Sequence, residues 1–350
     1  MDVKKIKITS EMVNFISEID EFKGRWSAIE GLPKDRLKAL KKIASIESIG
    51  SSTRIEGSRL SDEEVEALLK GMDIKSFHSR DEEEVAGYAD TMNTVFDNYK
   101  NIKISENYIK QLHGILLAYS TKDKRHKGEY KKLPNSVEAF DTNGKSIGII
   151  FQTTSPFETP QKMKELIHWT NNELKAKKFH PLLVIGIFIV TFLAIHPFQD
   201  GNGRLSRVLT TLLLLQNNYS YVPYCSLERI VEDNKDAYYI SLRSAQKTLW
   251  TSMKTIHVWL LFFLTCMKKQ KDILSNKIQK EKLLITSSIP ELSSTIICLV
   301  KDHGTLTISQ IEKLTKANRN TIKAHLKKLV EKKQLQKHGK QKGSWYTVGS

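Results

Sequence analysis

The chain has 350 residues, enough for two or three domains. Hydrophobic residues make up 40% and charged residues 27%, a globular composition that excludes a wholly disordered chain and a fibre. The net charge of +16 is uneven: from Lys268 onward there are 18 Lys+Arg against 6 Asp+Glu, so the first 267 residues are nearly neutral and the rest is strongly basic. A basic segment of this kind points to nucleic acid or an acidic surface.

In chain order, the first 120 residues read mostly as helix. Leu37, Leu40, Ile43, Ile46 and Ile49 keep a helical rhythm over Arg36 to Ile49. Ser61-Asp62-Glu63-Glu64 is a capping box that opens a helix closed by Gly71. Glu82 to Tyr99 and Glu106 to Tyr119 give two more. Between Lys127 and Pro156 the pattern changes. Asp141-Thr142-Asn143-Gly144, flanked by Val137–Phe140 and Ile147–Phe151, predicts a β-hairpin with an Asn-Gly turn. Helices resume over Thr159–Lys175, Pro181–Ile195, Arg204–Leu215, Asn234–Thr248 and Ser252–Lys269. The apolar run Leu182–Ile195 is too short for a membrane span and predicts a buried core helix. Residues 270–290 read as the end of a helix followed by a Lys-rich loop. Ser293–His303, Thr307–Leu314 and Asn318–Lys332 then predict three helices. Gln334–Lys337 and Ser344–Val348 predict a small hairpin across Gly339 and Gly343, and this order is that of a winged helix.

Cys225, Cys266 and Cys298 are widely spaced and form no CxxC pair, which argues against a disulfide framework or zinc ribbon. Reduced thiols and a charged Met1–Ser10, with no apolar signal region, lead to the expectation of a cytoplasmic protein with no membrane partner.

The chemistry is concentrated in His196-Pro197-Phe198-Gln199-Asp200-Gly201-Asn202-Gly203-Arg204-Leu205-Ser206-Arg207. Gly201 and Gly203 bare the backbone so that N–H groups can approach an anion. The next helix starts near Asn202 and points its positive end at the same place. Arg204 and Arg207 lie one turn apart and can both reach phosphate oxygens. Asp200 is a hard oxygen ligand suited to Mg²⁺ beside phosphates. His196 ends the preceding helix and is placed as a general base near neutral pH.

This segment resembles the signature of the Fic (filamentation induced by cyclic AMP) family, HPFxDGNGRxxR, at all nine specified positions. Residues from about 30 to 267 resemble the wider family pattern. The resemblance implies a mainly α fold: a helical core with a small β-hairpin flap, here followed by a C-terminal winged-helix (α+β) domain. It implies a protein adenylyltransferase that moves AMP from ATP to a Ser, Thr or Tyr hydroxyl and releases pyrophosphate. His196 would deprotonate the hydroxyl, and Asp200 would hold Mg²⁺ at the α- and β-phosphates. Gly201, Asn202 and Gly203 would form the anion hole, and Arg204 and Arg207 would grip the β- and γ-phosphates. Leu205, Ser206 and Tyr239 complete the nucleotide-binding set, with Tyr239 near the adenine.

Ser52-Thr53-Arg54-Ile55-Glu56-Gly57 resembles the family's inhibitory motif [S/T]xxxE[G/N]. Glu56 would pair with Arg207 and occupy the place of the γ-phosphate, with Ser52 as the other motif residue. Gly128-Glu129-Tyr130-Lys131 resembles the family's GxYR segment, with Lys131 where Arg is commoner. The hairpin after it would dock a target segment as an added strand.

The expected organisation is an N-terminal helical region with the inhibitory motif (1–105), a catalytic core (106–267), a basic connector (268–290) and the winged helix (291–350). Expected partners are a protein hydroxyl, the chain's own included, DNA through the winged helix, and a second copy in a homodimer. Asn318, Arg319, Asn320, Thr321, Lys323, His325, Lys327 and Lys328 on the third helix would face DNA, as would Lys332, Lys333, Lys337, Lys340 and Lys342 on the wing. Two alternatives stay open: removal of AMP at the same site, with Glu56 orienting water, and a DNA-binding regulator whose core only senses nucleotide.

Overall fold

A computed structural model describes residues 6–27, 34–71, 77–123, 125–140, 146–286, 291–339 and 344–349. The chain divides into two compact units, residues 1–274 and 275–350.

The first unit is built around one apolar helix. Among the described residues its α-helices are α1 (Ser10–Ser27), α2 (Lys34–Ile55), α3 (Asp62–Gly71), α4 (Arg80–Asn98), α5 (Glu106–Leu116), α6 (Thr159–Ala176), α7 (Pro181–Ile195), α8 (Asn202–Gln216), α9 (Leu227–Glu232), α10 (Lys235–Gln246) and the part of α11 (Ile256–Thr286) up to Leu274. Every residue of α7 from Leu182 to Ile195 is buried. A helix apolar on all sides must sit inside the fold, and α7 does: it packs against α6, α8 and α10. Trp259 of α11 donates its indole N–H to the Gly186 carbonyl at 2.7 Å, fixing α11 against the middle of α7. Pro181 opens α7, where its missing N–H costs nothing.

The expected capping box at Ser61 is present. The Glu64 N–H donates to Ser61 Oγ at 3.3 Å, and the Ser61 N–H donates to the Glu64 carboxylate at 2.8 Å. α2 runs six residues past Ile49, so Ser52 and Thr53 lie within the helix. α9 carries no expected counterpart in the sequence reading. α11 continues through most of the segment read as a connector, to Thr286. The hairpin is formed by β1 (Ser136–Phe140) and β2 (Ser146–Gln152), antiparallel, with Ser136 opposite Gln152. The expected Asn143-Gly144 turn lies outside the described residues. No described helix is long and apolar enough to cross a membrane.

The second unit contains α12 (Glu291–His303), β3 (Leu306–Thr307), α13 (Ile308–Thr315), α14 (Arg319–Glu331), β4 (Leu335–His338) and β5 (Trp345–Val348). Its sheet is antiparallel in the order β3-β5-β4. β4 and β5 are the two expected strands, and the two-residue β3 adds a third. Ile296, Val300, Ile311, Ile322, Leu326, Leu329, Leu335 and Tyr346 make one small core. Thr307 and Gln310 form a reciprocal capping box at the start of α13. Lys340, Lys342 and Gly343 of the expected wing lie outside the described residues.

Candidate active site

The loop between α7 and α8 holds the expected catalytic residues together. His196 is the C-cap of α7 and adopts a left-handed conformation, φ 53° and ψ 61°. This turns the chain out of the helix and aims it at α8. Pro197 and Phe198 follow, and the Asn202 side chain then staples the loop. Asn202 Oδ1 accepts the Phe198 N–H at 2.9 Å, and Asn202 Nδ2 donates to the Phe198 carbonyl at 2.8 Å. Gly201 begins α8 with φ +77°, which a side chain would resist. The loop thus ends at the N-terminus of α8, whose first N–H groups form an anion-binding end.

His196 Nδ1 lies 3.2 Å from the Leu193 carbonyl. A carbonyl only accepts, so the proton is on Nδ1 and Nε2 is left as the acceptor. Burial, with Lys131 nearby, lowers the imidazole pKa to about 4, below the near-neutral value expected from its residue type. The ring is therefore neutral at pH 7, the form a general base needs.

Asp200 is surrounded by donors. Its Oδ1 accepts the Gly201 N–H at 2.6 Å and lies 3.5 Å from Arg204, while Oδ2 pairs with Arg80 at 3.0 Å. Burial pushes the Asp200 pKa up, but Arg204, the Gly201 N–H and Arg80 outweigh it and hold the carboxyl below its ordinary value. Arg204 is only 2% exposed and also pairs with Glu84 at 3.1 Å. Burial raises the Glu84 pKa against the pull of Arg204 and Arg80.

Arg207 is buried and meets the end of α2. Its Nε donates to Ser52 Oγ at 2.7 Å, and its Nη2 donates to the Ser52 carbonyl at 2.8 Å and to Glu56 Oε1 at 2.7 Å. Glu56 lies directly over Gly203, where any Cβ would overlap its carboxylate. The sequence-read pair Glu56–Arg207 is thus in contact, and both carboxylate and guanidinium sit at the N-terminal turn of α8. Arg207 Nη1 and Arg204 Nε are buried with no hydrogen-bond partner among the described residues, leaving two donors suited to phosphate oxygens.

Two of the expected nucleotide contacts face elsewhere. Leu205 is fully buried in the core, and its N–H is used by the Gly201 carbonyl at 2.9 Å. The Ser206 hydroxyl donates to the Gly203 carbonyl at 2.7 Å and is 1% exposed. Both follow from helix geometry: they occupy the side of α8 turned from Arg204 and Arg207. Tyr239 is half-buried, and burial raises its pKa, with Glu56 adding to the rise. Tyr238 packs in the core against Trp259 and Phe262.

Four residues at the site were missed from sequence. Arg80 and Glu84 come from α4. His113 of α5 accepts the Gly128 N–H on Nδ1 at 3.0 Å and so donates from Nε2 to the Asp200 carbonyl at 3.0 Å. It stacks on Phe198 with centroids 3.8 Å apart. Glu232 of α9 accepts from Arg54 at 2.6 Å and ties down the end of α2. Arg54 also reaches Asp62 at 2.9 Å, and Arg229 pairs with Asp62 in turn. Only the carboxylates and basic residues as types were visible in the sequence. Nothing local announced their meeting.

Residues 103–214 match the model of the Fic/DOC family, and residues 284–344 match a model described as a bacterial protein of unknown function. A Fido domain-containing protein of Dictyostelium discoideum is 31% identical over 132 residues, which cover 36% of this chain and 87% of that protein. The protein adenylyltransferase Fic of Drosophila mojavensis is 25% identical over 295 residues, covering 83% of this chain and 51% of its own length. The chain thus spans about half the length of that relative. The crystal structure of a Fic family protein from Desulfovibrio desulfuricans G20 superposes with a TM-score of 0.63 at 22% identity, covering 98% of this chain and 97% of that one, and shows the shared fold. Loop, fold and relatives agree: the chain belongs to the Fic family.

Proposed function

We propose that this chain transfers AMP from ATP to a hydroxyl of a protein and that the end of α2 holds it inactive until Glu56 moves. The observation that carries the reading is the contact of Glu56 with Arg207 over Gly203, beside a neutral His196. The relatives named protein adenylyltransferase, from Drosophila mojavensis and, as a probable one, from Aquifex aeolicus, favour the same chemistry.

In the transfer, the target hydroxyl oxygen attacks the α-phosphorus. The bond from the α-phosphorus to the bridging oxygen breaks, and pyrophosphate leaves with its electron pair. His196 Nε2 takes the hydroxyl proton. The α8 N-terminus, Arg204 and Arg207 offset the phosphate charge, and Tyr239 is placed to contact the base. Asp200 suits the Mg²⁺ that the family implies: it is a single carboxylate held ionised by its cationic neighbours. Mg²⁺ is commonly bound by one carboxylate together with substrate phosphates. No group of three or more His, Cys, Asp and Glu able to hold a metal without phosphates is found among the described residues. Asp200 would hold the ion, which would neutralise phosphate charge.

Glu56 opposes this by supplying the carboxylate that accepts from Arg207 in place of a phosphate. Removing it should raise AMP incorporation. The test is the Glu56→Gly chain with ATP and Mg²⁺, read as radiolabel from [α-³²P]ATP in protein. Label no greater than in wild type would refute the inhibition.

The second unit supports a separate reading as a DNA-binding winged helix. Asn320, Thr321, Lys323, Lys327 and Lys328 are exposed along α14, and Lys332, Lys333 and Lys337 continue the basic face. Three other residues expected there are engaged: Asn318 caps α14, Arg319 pairs with Glu312 at 2.8 Å, and His325 bonds Ser293 at 2.6 Å. The remaining contacts would go to phosphates and be salt-sensitive.

A further inference from the structure

Lys131, which stands where the family motif more often has Arg, points inward. It is 3% exposed. Its Nζ donates to Asn135 Oδ1 at 2.8 Å, Thr153 Oγ1 at 2.7 Å and the Ile195 carbonyl at 3.1 Å. An ammonium has three donors, and all three are used on neutral acceptors. Its backbone N–H donates to the Pro197 carbonyl at 2.8 Å. A cation buried without a carboxylate is costly, and burial lowers its pKa to about 8. An apolar side chain of the same length would avoid that cost and keep the backbone bond, so the three ammonium bonds are what the position gains.

Those bonds have a common geometry. Ile195 and Pro197 are the two neighbours of His196, and Lys131 grips the carbonyl of each. His196 is the residue between them in the left-handed region, a strained conformation that persists only where the surroundings fix it. Asn135 and Thr153 stand immediately outside β1 and β2, at the two feet of the hairpin. They are bonded to each other, with the Thr153 hydroxyl 2.6 Å from Asn135 Oδ1. Asn135 also donates to the Phe198 carbonyl at 2.8 Å, and the Thr154 N–H donates to the Ala194 carbonyl at 3.3 Å. Lys131 is the centre of this network.

We infer that Lys131 is a positioning residue that fixes the left-handed turn at His196 and ties both feet of the hairpin to the same loop. The inference rests on the reading of His196 as the base. A residue that only fills space would leave the loop and hairpin as they are when its donors are removed. A nucleotide contact would change ATP binding.

The test compares Lys131→Met and Lys131→Arg in the full Glu56→Gly chain. Methionine keeps the length and the backbone N–H to Pro197 and removes the three ammonium donors. Arginine keeps the charge and donors. Hydrogen exchange by mass spectrometry should speed up about tenfold in Lys131→Met over residues 136–140, 146–154 and 195–198, with the middle of α7 unchanged. The rate of AMP incorporation should fall by about tenfold or more while the KM for ATP stays within about twofold. Lys131→Arg should restore most of the protection. Unchanged exchange in Lys131→Met, loss of protection across the whole first unit, or a raised KM with an unchanged rate would each overturn the assignment. If Lys131→Met does not fold, Thr153→Val removes one acceptor and should speed exchange at the same segments; no change there overturns it equally. The exchange measurement needs no activity, so a parent chain that transfers no AMP would refute the transfer reading alone.

Discussion

His113 and His196 are both held neutral by burial, with pKa values lowered from 6.5 to about 4. Their consequences differ. For His196 the neutral ring is the form the proposed transfer uses. For His113 it is structural: the ring must accept from Gly128 and donate to Asp200 at once, and only the neutral tautomer does both. Between pH 6.5 and 4 the unfolded chain binds a proton at each position and the folded chain does not. The unfolded state holds more protons in that window, so stability falls as pH drops through it. For the fully buried His113 the loss reaches about 3 kcal/mol at most. Melting temperature should therefore fall from pH 6.5 towards 4, and His113→Gln should make the fall shallower; equal slopes would contradict the assignment. Residues of this kind were not legible in the sequence. The His196–Arg207 segment could be read because its parts are contiguous and its glycines, histidine and arginines lie within one turn and one helix. His113, Arg80, Glu84 and Lys131 reach it only through the packing of other elements.

The proposed inhibition needs the last turn of α2 held in place, and that turn is tied down from outside. Arg54 bonds Glu232, Asp62, Ser51 and the Leu60 carbonyl, linking α2 to α9 and to the start of α3. The Arg54 and Glu232 side chains are 18% and 20% exposed, so this pair is less screened than a surface ion pair. Glu232→Gln keeps the shape and removes the charge facing Arg54 and Arg229. Its basal rate of AMP incorporation should lie between those of wild type and Glu56→Gly, measured as initial label uptake. A wild-type basal rate would show that α2 holds Glu56 without this tie. Element-level reading succeeded where patterns were strong. The Ser61 capping box, the apolar α7 and the helix order of the second unit each carry a local signal. It missed α9, whose six residues are too few for a period. It stopped α11 early because the Lys- and Gln-rich run after Met267 looks polar, although such residues favour helix.

The two units divide the charge as well as the fold. The second holds most of the basic excess, with exposed lysines on α14 and after it. If this face binds duplex DNA, affinity of the full chain should fall steeply with salt, and Lys323→Glu with Lys327→Glu should weaken it about tenfold or more and flatten the salt slope. Both side chains are exposed and belong to the second unit, so AMP incorporation should persist in the double variant. Binding that ignores salt and both substitutions would point instead to a protein partner for this unit. The first unit's activity is decided by intact mass after incubation of wild-type, Glu56→Gly and His196→Ala chains with Mg²⁺ and ATP. A covalent AMP adduct that is strongest in Glu56→Gly and absent in a folded His196→Ala is the expected result. An adduct retained at full level in His196→Ala, or a Glu56→Gly chain no more active than wild type, would contradict it.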